Sequence, residues 1–439
     1  MQSKQKTILP FTAQIERLSH EGRGIALVSG KTTFIDRALP GETVVANYTK
    51  KHARFDEATL IEIMNASTDR IAPPCPHADI CGGCSLQHMQ PSAQIAFKQK
   101  VLEEQLRHFG GLQPKCGYLP PLLGPTLGYR RRARLGVKWV EKKNSVLIGF
   151  REKQGRYIAD LNQCEVLDPR VGHFIQPLKT VLNRLQAKAQ IPQIEVAISD
   201  QQVVLVLRHL VPLTEADQQQ LIAFAQQQAW ILYLQPGHGD SIHQIWPHAS
   251  VNLLYALPQW NLTLKFRPVD FIQINAEINQ RMIALALELL DLKPQDRVLD
   301  LFCGLGNFTL PIATIAQQVV GVEGDAALVH QAKINAQHNA LPQVDFHVAD
   351  LFESEGLAWS LLSFNKVLLD PPRLGAAEVM TWLPKLKAER IVYVSCNPAT
   401  FARDVGLLCE HGYRLETAGV MDMFPHTTHV ESIGLLVKQ

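Results

Sequence analysis

From about residue 266 onward the chain alternates helical stretches with short apolar runs. Residues 278–290 carry helical periodicity, and residues 297–302, 318–323, 344–348, 366–370 and 391–395 read as strands. Strands separated by helices cannot pair as hairpins, so this alternation predicts a parallel sheet covered by helices on both faces. In such a sheet a ligand binds beyond the carboxyl ends of the strands, at the point where the strand order reverses.

The first of these strands runs into Asp300-Leu301-Phe302-Cys303-Gly304-Leu305-Gly306-Asn307, a turn where two missing Cβ atoms let backbone approach a ligand. It departs from the dinucleotide pattern G-x-G-x-x-G, because Thr309 stands at the third glycine position. Glu323 closes the second strand, where a carboxylate can accept hydrogen bonds from both hydroxyls of a ribose, and Asp350 closes the third, within reach of an adenine edge. Because no basic residue stands by to meet a pyrophosphate, these features fit S-adenosylmethionine better than a phosphate-bearing nucleotide.

Upstream, residues 7–64 hold five short apolar runs separated by turns, the pattern of a small β-barrel of the OB type. Lys50, Lys51, His52 and Arg54 precede its last strand, either facing a phosphate backbone or forming a solvated hairpin. Residues 91–109 read as an amphipathic helix with Ile95, Val101, Leu102 and Leu106 on one side and Lys, Glu and Gln on the other. A strand-rich segment follows, in which Arg130, Arg132 and Arg134 alternate and so share one face. The first 170 residues hold 25 Lys and Arg against 16 Asp and Glu, and the remainder 18 against 25, so the N-terminal half is the candidate partner of a polyanion. The resulting division is 1–64 barrel, 65–90 cysteine loop, 91–119 helix packing on the catalytic domain, 120–265 central domain and 266–439 cofactor domain. The N-terminus has no apolar signal region and no uninterrupted apolar run is long enough to span a bilayer, so a soluble, cytoplasmic protein is expected, with no obligate protein partner evident.

Eight cysteines in a reducing compartment call for metal or catalytic roles rather than a disulfide framework. Cys75, Cys81 and Cys84 fall within ten residues around Gly82-Gly83, one thiolate short of a tetrahedral set, and their spacing alone permits zinc. Cys116, Cys303 and Cys409 are left as ordinary buried thiols. Cys396, in Ser395-Cys396-Asn397-Pro398 at the end of an apolar strand, is instead placed as a nucleophile facing the bound cofactor.

Four stretches carry a resemblance: Phe271-Ile272-Gln273-Ile274-Asn275, Asp370-Pro371-Pro372-Arg373-Leu374-Gly375, Ser395-Cys396-Asn397-Pro398-Ala399-Thr400 with Arg403-Asp404, and Phe424-Pro425-His426-Thr427-Thr428-His429-Val430-Glu431. In this order they resemble the motifs of the RNA (uracil-C5)-methyltransferases, and the resemblance spans essentially the whole chain. It implies that Cys396 adds to uracil C6, that Glu431 removes the C5 proton, and that Gln273, Phe302, Asn307, Glu323, Asp350 and Asp370 contact S-adenosylmethionine. It implies further that Cys164 completes the set of Cys75, Cys81 and Cys84 around a [4Fe-4S] cluster, and that the N-terminal barrel is a TRAM domain, matched by residues 18–26 and 38–42. The expected fold is therefore a multidomain α/β protein: a Rossmann-like methyltransferase domain, an OB-like barrel, and a central α+β RNA-binding domain carrying the cluster.

The family branch that combines this barrel with the cysteine set acts on 23S ribosomal RNA, so the expected partner is that RNA, with its target uridine unpaired or flipped out. A transfer-RNA substrate and a non-catalytic ribosome-assembly factor are the alternatives. His429 is expected to be a structural hydrogen-bonding residue, and Phe271 either stacks on a base or packs in the core.

Overall fold

The computed structural model describes residues 10–153, 155–237, 241–353 and 363–439; the first nine residues of the span assigned to the barrel lie outside these. Strands β1 (Phe11–Gln14), β2 (Arg17–Leu18), β3 (Gly24–Val28), β4 (Lys31–Asp36), β5 (Thr43–Lys51) and β6 (Phe55–Asn65) form one sheet in the order β1-β5-β6-β4-β3-β2. Their period-two pattern turns Ala13, Ala26, Ile35, Val44, Ala46 and Ala58 into a common core. The buried Glu42 carboxylate then ties this sheet to the chain beyond it, accepting from Arg70 Nε at 2.5 Å and from the N–H groups of Leu39 and Ser67.

Helix α1 (Pro91–Gly110) starts with proline at its first position and ends at Gly111 in the left-handed region. The central sheet holds β7 (Arg132–Val140), β8 (Ser145–Gly149), β9 (Gln193–Ile198), β10 (Val203–Arg208), β11 (Ile231–Gln235) and β12 (His243–Trp246) in the order β12-β11-β10-β9-β7-β8. Helices α2 (Pro169–Gly172) and α3 (Ile175–Arg184) follow β8, and α4 (Glu215–Gln228) crosses between the parallel pair β10 and β11. A hairpin, β13 (Leu253–Leu257) and β14 (Leu262–Phe266), leads into the last part of the chain.

There, α5 (Ala276–Leu290), β15 (Arg297–Leu301), α6 (Thr309–Ala313), β16 (Gln318–Glu323), α7 (Ala326–His338), β17 (Val344–Val348), β18 (Lys366–Leu369), β19 (Arg390–Ser395), α8 (Pro398–Glu410), β20 (Tyr413–Met421) and β21 (Glu431–Lys438) build a seven-stranded sheet. Its order is β17-β16-β15-β18-β19-β21-β20. The first five are parallel, as the alternation predicts, but β21 runs antiparallel to both its neighbours, so the sheet is mixed. From β15 the order proceeds outward through β16 on one side and β18 on the other, which places the crevice at the ends of β15 and β18. Helix α1 packs on α8 and β20: Ile95, Val101, Leu102 and Leu106 share one core with Phe401, Val405, Leu408 and Leu415. Among the described residues no helix is long and apolar enough to cross a membrane.

Candidate active site

At the end of β15, Phe302 is held at φ 63°, a left-handed conformation that an aromatic residue adopts only under constraint, and Gly304 and Gly306 follow at 54° and 91°. The turn they make is latched to the next strand: Gly304 N–H donates to Glu323 Oε2 at 3.1 Å and Asp325 N–H to Oε1 at 3.1 Å. Each oxygen keeps acceptor capacity toward a ligand. Asn307 exchanges amide hydrogen bonds with Asn279 of α5 at 2.8 and 3.0 Å and accepts from Tyr255 Oη at 3.2 Å. Tyr255 and Asn279, the two partners of Asn307, also line a small pocket together with Gln273. Asp350 is exposed, accepts from Phe352 N–H at 2.9 Å, and lies beside the Phe302–Phe352 ring pair, whose centroids are 5.9 Å apart.

Asp370 leaves β18 with its N–H on the Leu301 carbonyl at 3.3 Å, and burial pushes its carboxyl up to about 7. Asp300, fully buried beneath the turn and accepting from Thr309 Oγ1 at 2.5 Å, is likewise pushed to about 7 by burial, with Asp370 and Glu323 adding repulsion. On the next strand Ser395 is paired with Ser432 of β21, so the residues one step further out, Cys396 and Glu431, stand side by side where those strands end. Burial raises Glu431 to about 8; the Asp370 charge adds to this, and the positive charges of Lys98 and Arg373 oppose it. Cys396 is half-buried and raised to about 11 by burial, Glu431 and Asp370. At neutral pH the thiol of the free protein is therefore protonated, and its activation falls to what binds beside it.

Two clamps fix the Cys396 turn. Asn397 Oδ1 caps α8 by accepting from Ala399 N–H, while Asn397 Nδ2 reaches the Arg373 carbonyl at 3.0 Å. Asp404 accepts from Ala376 N–H at 2.7 Å, Tyr393 Oη at 2.6 Å and the Arg403 guanidinium at 2.7 Å. Gly375, at φ 77°, lies so close to this group that a Cβ would meet Arg403 Nη2 at 2.5 Å. Arg373 in turn donates to His429 Nδ1 at 3.1 Å, consistent with a structural histidine.

Cys75, Cys81, Cys84 and Cys164 line one small pocket, walled by Ala78, Gly83, Phe150, Leu161 and Val166. Among the described residues no group of three or more His, Cys, Asp or Glu side chains is arranged to hold a single metal ion. All four thiols are buried, and burial lifts Cys84 to about 11 and Cys164 to about 12, with mutual repulsion among the sulfurs adding to it. By donor chemistry alone, such an all-sulfur set in an apolar pocket matches a thiophilic group that takes thiolates, as an iron-sulfur cluster does. Directly after Cys84, the N–H groups of Ser85 and Leu86 both donate to the His426 carbonyl at 2.9 Å, and Tyr129 Oη donates to Pro425 O at 3.1 Å. The cysteine loop thus braces the turn that leads to Glu431.

Among the remaining candidates, Cys303 is buried in the sheet core, Cys116 is exposed and donates to Glu416 at 2.9 Å, and Cys409 is partly buried. Phe271 is 65% exposed, so the core reading fails for it. The arginine face is also altered: Arg132 is partly buried and bonded to the Val269 carbonyl, Arg134 pairs with Glu195 at 2.9 Å, and the Arg130 guanidinium lies over the Phe150 ring. Lys98 and Asp422, joined at 2.7 Å with both side chains buried, were not singled out in the sequence. The signal was there, since Lys98 falls three residues after Ile95 and four before Leu102, on the apolar side of its own helix.

The family model described as tRNA (Uracil-5-)-methyltransferase matches residues 90–439, and that of the TRAM domain residues 11–61. The 23S rRNA (uracil(1939)-C(5))-methyltransferase RlmD of Alcanivorax borkumensis is 54% identical over 99% of this chain and 98% of its own. Its counterparts from Xanthomonas campestris pv. campestris and Nitrosococcus oceani are each 51% identical, over 98% and 97% of this chain and 98% and 96% of theirs. Among solved structures, Pyrococcus abyssi tRNA (uracil-54, C5)-methyltransferase, in complex with S-adenosyl-L-homocysteine, superposes with a TM-score of 0.76 at 23% identity, covering 97% of this chain and 99% of that one; it speaks for the fold. With the Cys396 turn, the Asp370 loop and the Glu431 strand brought together at the strand ends, the chain belongs to the RNA uracil-5-methyltransferase family and carries a TRAM domain.

Proposed function

We propose that this protein methylates C5 of a uridine in 23S ribosomal RNA, using Cys396 as nucleophile and Glu431 as base. The observation that carries the reading is the placement of Cys396 and Glu431 on neighbouring strand ends, beside Asp370 and the Gly304–Glu323 latch. The near-complete coverage by the curated rRNA methyltransferases supports the choice of RNA.

Uracil C5 is too weak a nucleophile to take a methyl group unaided. Addition of the Cys396 thiolate at C6 forms a C–S bond and pushes the electron pair into an enolate, which makes C5 reactive. S-adenosylmethionine, when bound, supplies a positively charged sulfonium whose methyl group is the electrophile. Gln273, Phe302, Asn307, Glu323, Asp350 and Asp370 would hold it, Glu323 through the ribose hydroxyls and Asp370 nearest the reacting groups. Once C5 carries the methyl group, the Glu431 carboxylate takes the C5 proton, the double bond re-forms, and the C6–S bond breaks to return Cys396.

In this reading the barrel (1–64) and the central domain (120–265) deliver the RNA with its uridine flipped out, while residues 266–439 perform the transfer. Cys75, Cys81, Cys84 and Cys164, contributed by the loop of 65–90 and the central domain, hold a [4Fe-4S] cluster. Its role is structural or RNA-contacting rather than redox, because the transfer is polar and needs no electron. The shared cavity of the four thiols supports this.

The test is in vitro methylation of 23S rRNA from a strain lacking the protein, with unmodified transfer RNA as comparator. Cys396→Ala is expected to abolish methyl transfer and retain RNA binding. Unchanged methylation would overturn the covalent route, and exclusive labelling of transfer RNA the choice of substrate. For the cluster, anaerobically purified protein is expected to contain iron and sulfide, and stoichiometric zinc without iron would refute it.

A further inference from the structure

Lys98 is fully buried, on α1, far along the chain from the residues it meets in the connection that precedes Glu431. Its ammonium donates to Asp422 Oδ1 at 2.7 Å and to the Phe424 carbonyl at 2.9 Å. One turn earlier on the same helix, Gln94 donates to His426 Nδ1 at 3.1 Å and accepts from His426 N–H at 2.8 Å. Residues 422–430 join β20 to β21, and the first residue of β21 is Glu431. Two polar side chains of one helix therefore grip the connection that delivers Glu431.

A buried ammonium is strongly disfavoured unless something needs its charge or its donors. Asp422 balances it, but that balance alone would be met by a pair of apolar residues. What an apolar pair would not supply is a cation near Glu431. The charged or titratable groups around Glu431 are Asp370 and Arg373 on the loop after β18, Cys396 after β19, and Lys98 on α1. Asp370 favours the protonated acid, whereas Lys98 and Arg373 favour the carboxylate. Arg373 is exposed and engaged with His429, which leaves Lys98 as the cation shielded from solvent.

We propose that Lys98 is a positioning residue for the elimination step: anchored to Asp422 and the Phe424 carbonyl, it aims Glu431 and favours its carboxylate form, against burial and Asp370, for taking the C5 proton. This rests on the assignment of Cys396 and Glu431 as nucleophile and base. It assigns Lys98 to the last step, so loss of its charge should leave addition and methyl transfer intact and stall release.

The experiment compares native protein, Glu431→Gln, Lys98→Met/Asp422→Asn, which removes both buried charges, and Lys98→Gln, which keeps a donor for the Phe424 carbonyl. Each is given RNA carrying uridine or 5-fluorouridine at the target. Fluorine at C5 blocks proton removal, so the fluorinated RNA traps the methylated adduct and reports only the earlier steps. For both Lys98 variants, trapping is expected within about twofold of native, turnover on uridine RNA reduced about tenfold or more, denaturation-resistant enzyme–RNA adduct accumulated, and the acid limb of the turnover profile moved to higher pH. Native turnover and pH profile in either folded Lys98 variant would overturn the proposal, as would trapping slowed in step with turnover. Normal turnover in Glu431→Gln would instead remove the assignment beneath it.

Discussion

The Asn397 side chain donates to the Arg373 carbonyl at 3.0 Å, so the turn that carries Cys396 and the loop that carries Asp370 are one mechanical unit. The same side chain caps α8 through Ala399 N–H. Asn397→Ala removes both contacts and is expected to lower stability by about 1 kcal/mol through the lost cap. Turnover is expected to fall about tenfold or more, since small displacements of reacting groups are expensive. Thermal unfolding together with methylation kinetics checks both; a stability change with native turnover would show that the clamp is dispensable.

Glu431 gives a pH signature. Its folded value of about 8 lies above the ordinary carboxyl value because of burial first and Asp370 second. The folded protein therefore holds this proton more tightly than the unfolded chain, and the associated stability is present below the unfolded value and lost as pH rises toward about 8. Glu431→Gln should accordingly melt at least about 2 °C above native at pH 9 and match it near pH 4. Turnover, which needs the carboxylate, should run the other way, rising with pH until about 8. Melting curves that differ equally at both pH values would contradict the burial argument.

Glu42 behaves oppositely. Burial pushes its carboxyl up, but hydrogen bonds from Arg70, Leu39 N–H and Ser67 N–H outweigh that and hold it below the usual range. Its contribution is present above the unfolded value and is lost as pH falls through the lower folded one. Arg70→Met, which strands this buried carboxylate, is expected to destabilise the N-terminal sheet by about 3–5 kcal/mol. Hydrogen exchange should show that loss in residues 11–65 more than in the catalytic sheet.

For the cluster proposed in the cysteine loop, Cys84→Ser is expected to drop iron from the proposed content of about four per chain to near zero. Because Ser85 and Leu86 hold the His426 carbonyl, protease sensitivity in residues 72–90 should rise and exchange at residues 424–430 should quicken. A variant that loses iron yet keeps native exchange at 424–430 would show the brace to be independent of the metal.

Much of the catalytic half was readable in advance because its signals are local. Apolar runs of strand length, a turn with two glycines and a carboxylate at a strand end each declare themselves within a few residues, and Gln273, Asn307, Glu323, Asp370, Cys396 and Glu431 were proposed that way or by resemblance. The mixed direction of the sheet was not readable, since the placing of β21 between β19 and β20 is a non-local pairing that leaves no periodic trace. Lys98 was missed for a different reason: lysines are almost never fully buried, so a charge on an apolar stripe is read as solvated. Its partner Asp422 lies more than three hundred residues away in the chain. Arg132 and Arg134 were correctly placed on a strand, but their pairing with Glu195 of β9 depended on which strand came to lie alongside.

In the proposed role of the central sheet in delivering RNA, that pairing would affect how the sheet meets a polyanion. Glu195 already partly neutralises Arg132 and Arg134, so docking of a phosphate chain on this face must first displace an internal counter-charge. Fewer condensed cations would be liberated than three arginines suggest, and affinity should decline with added salt along a gentler slope. Removing the Glu195 charge should steepen that slope, so one acidic side chain would temper how sensitive the proposed RNA capture is to ionic strength.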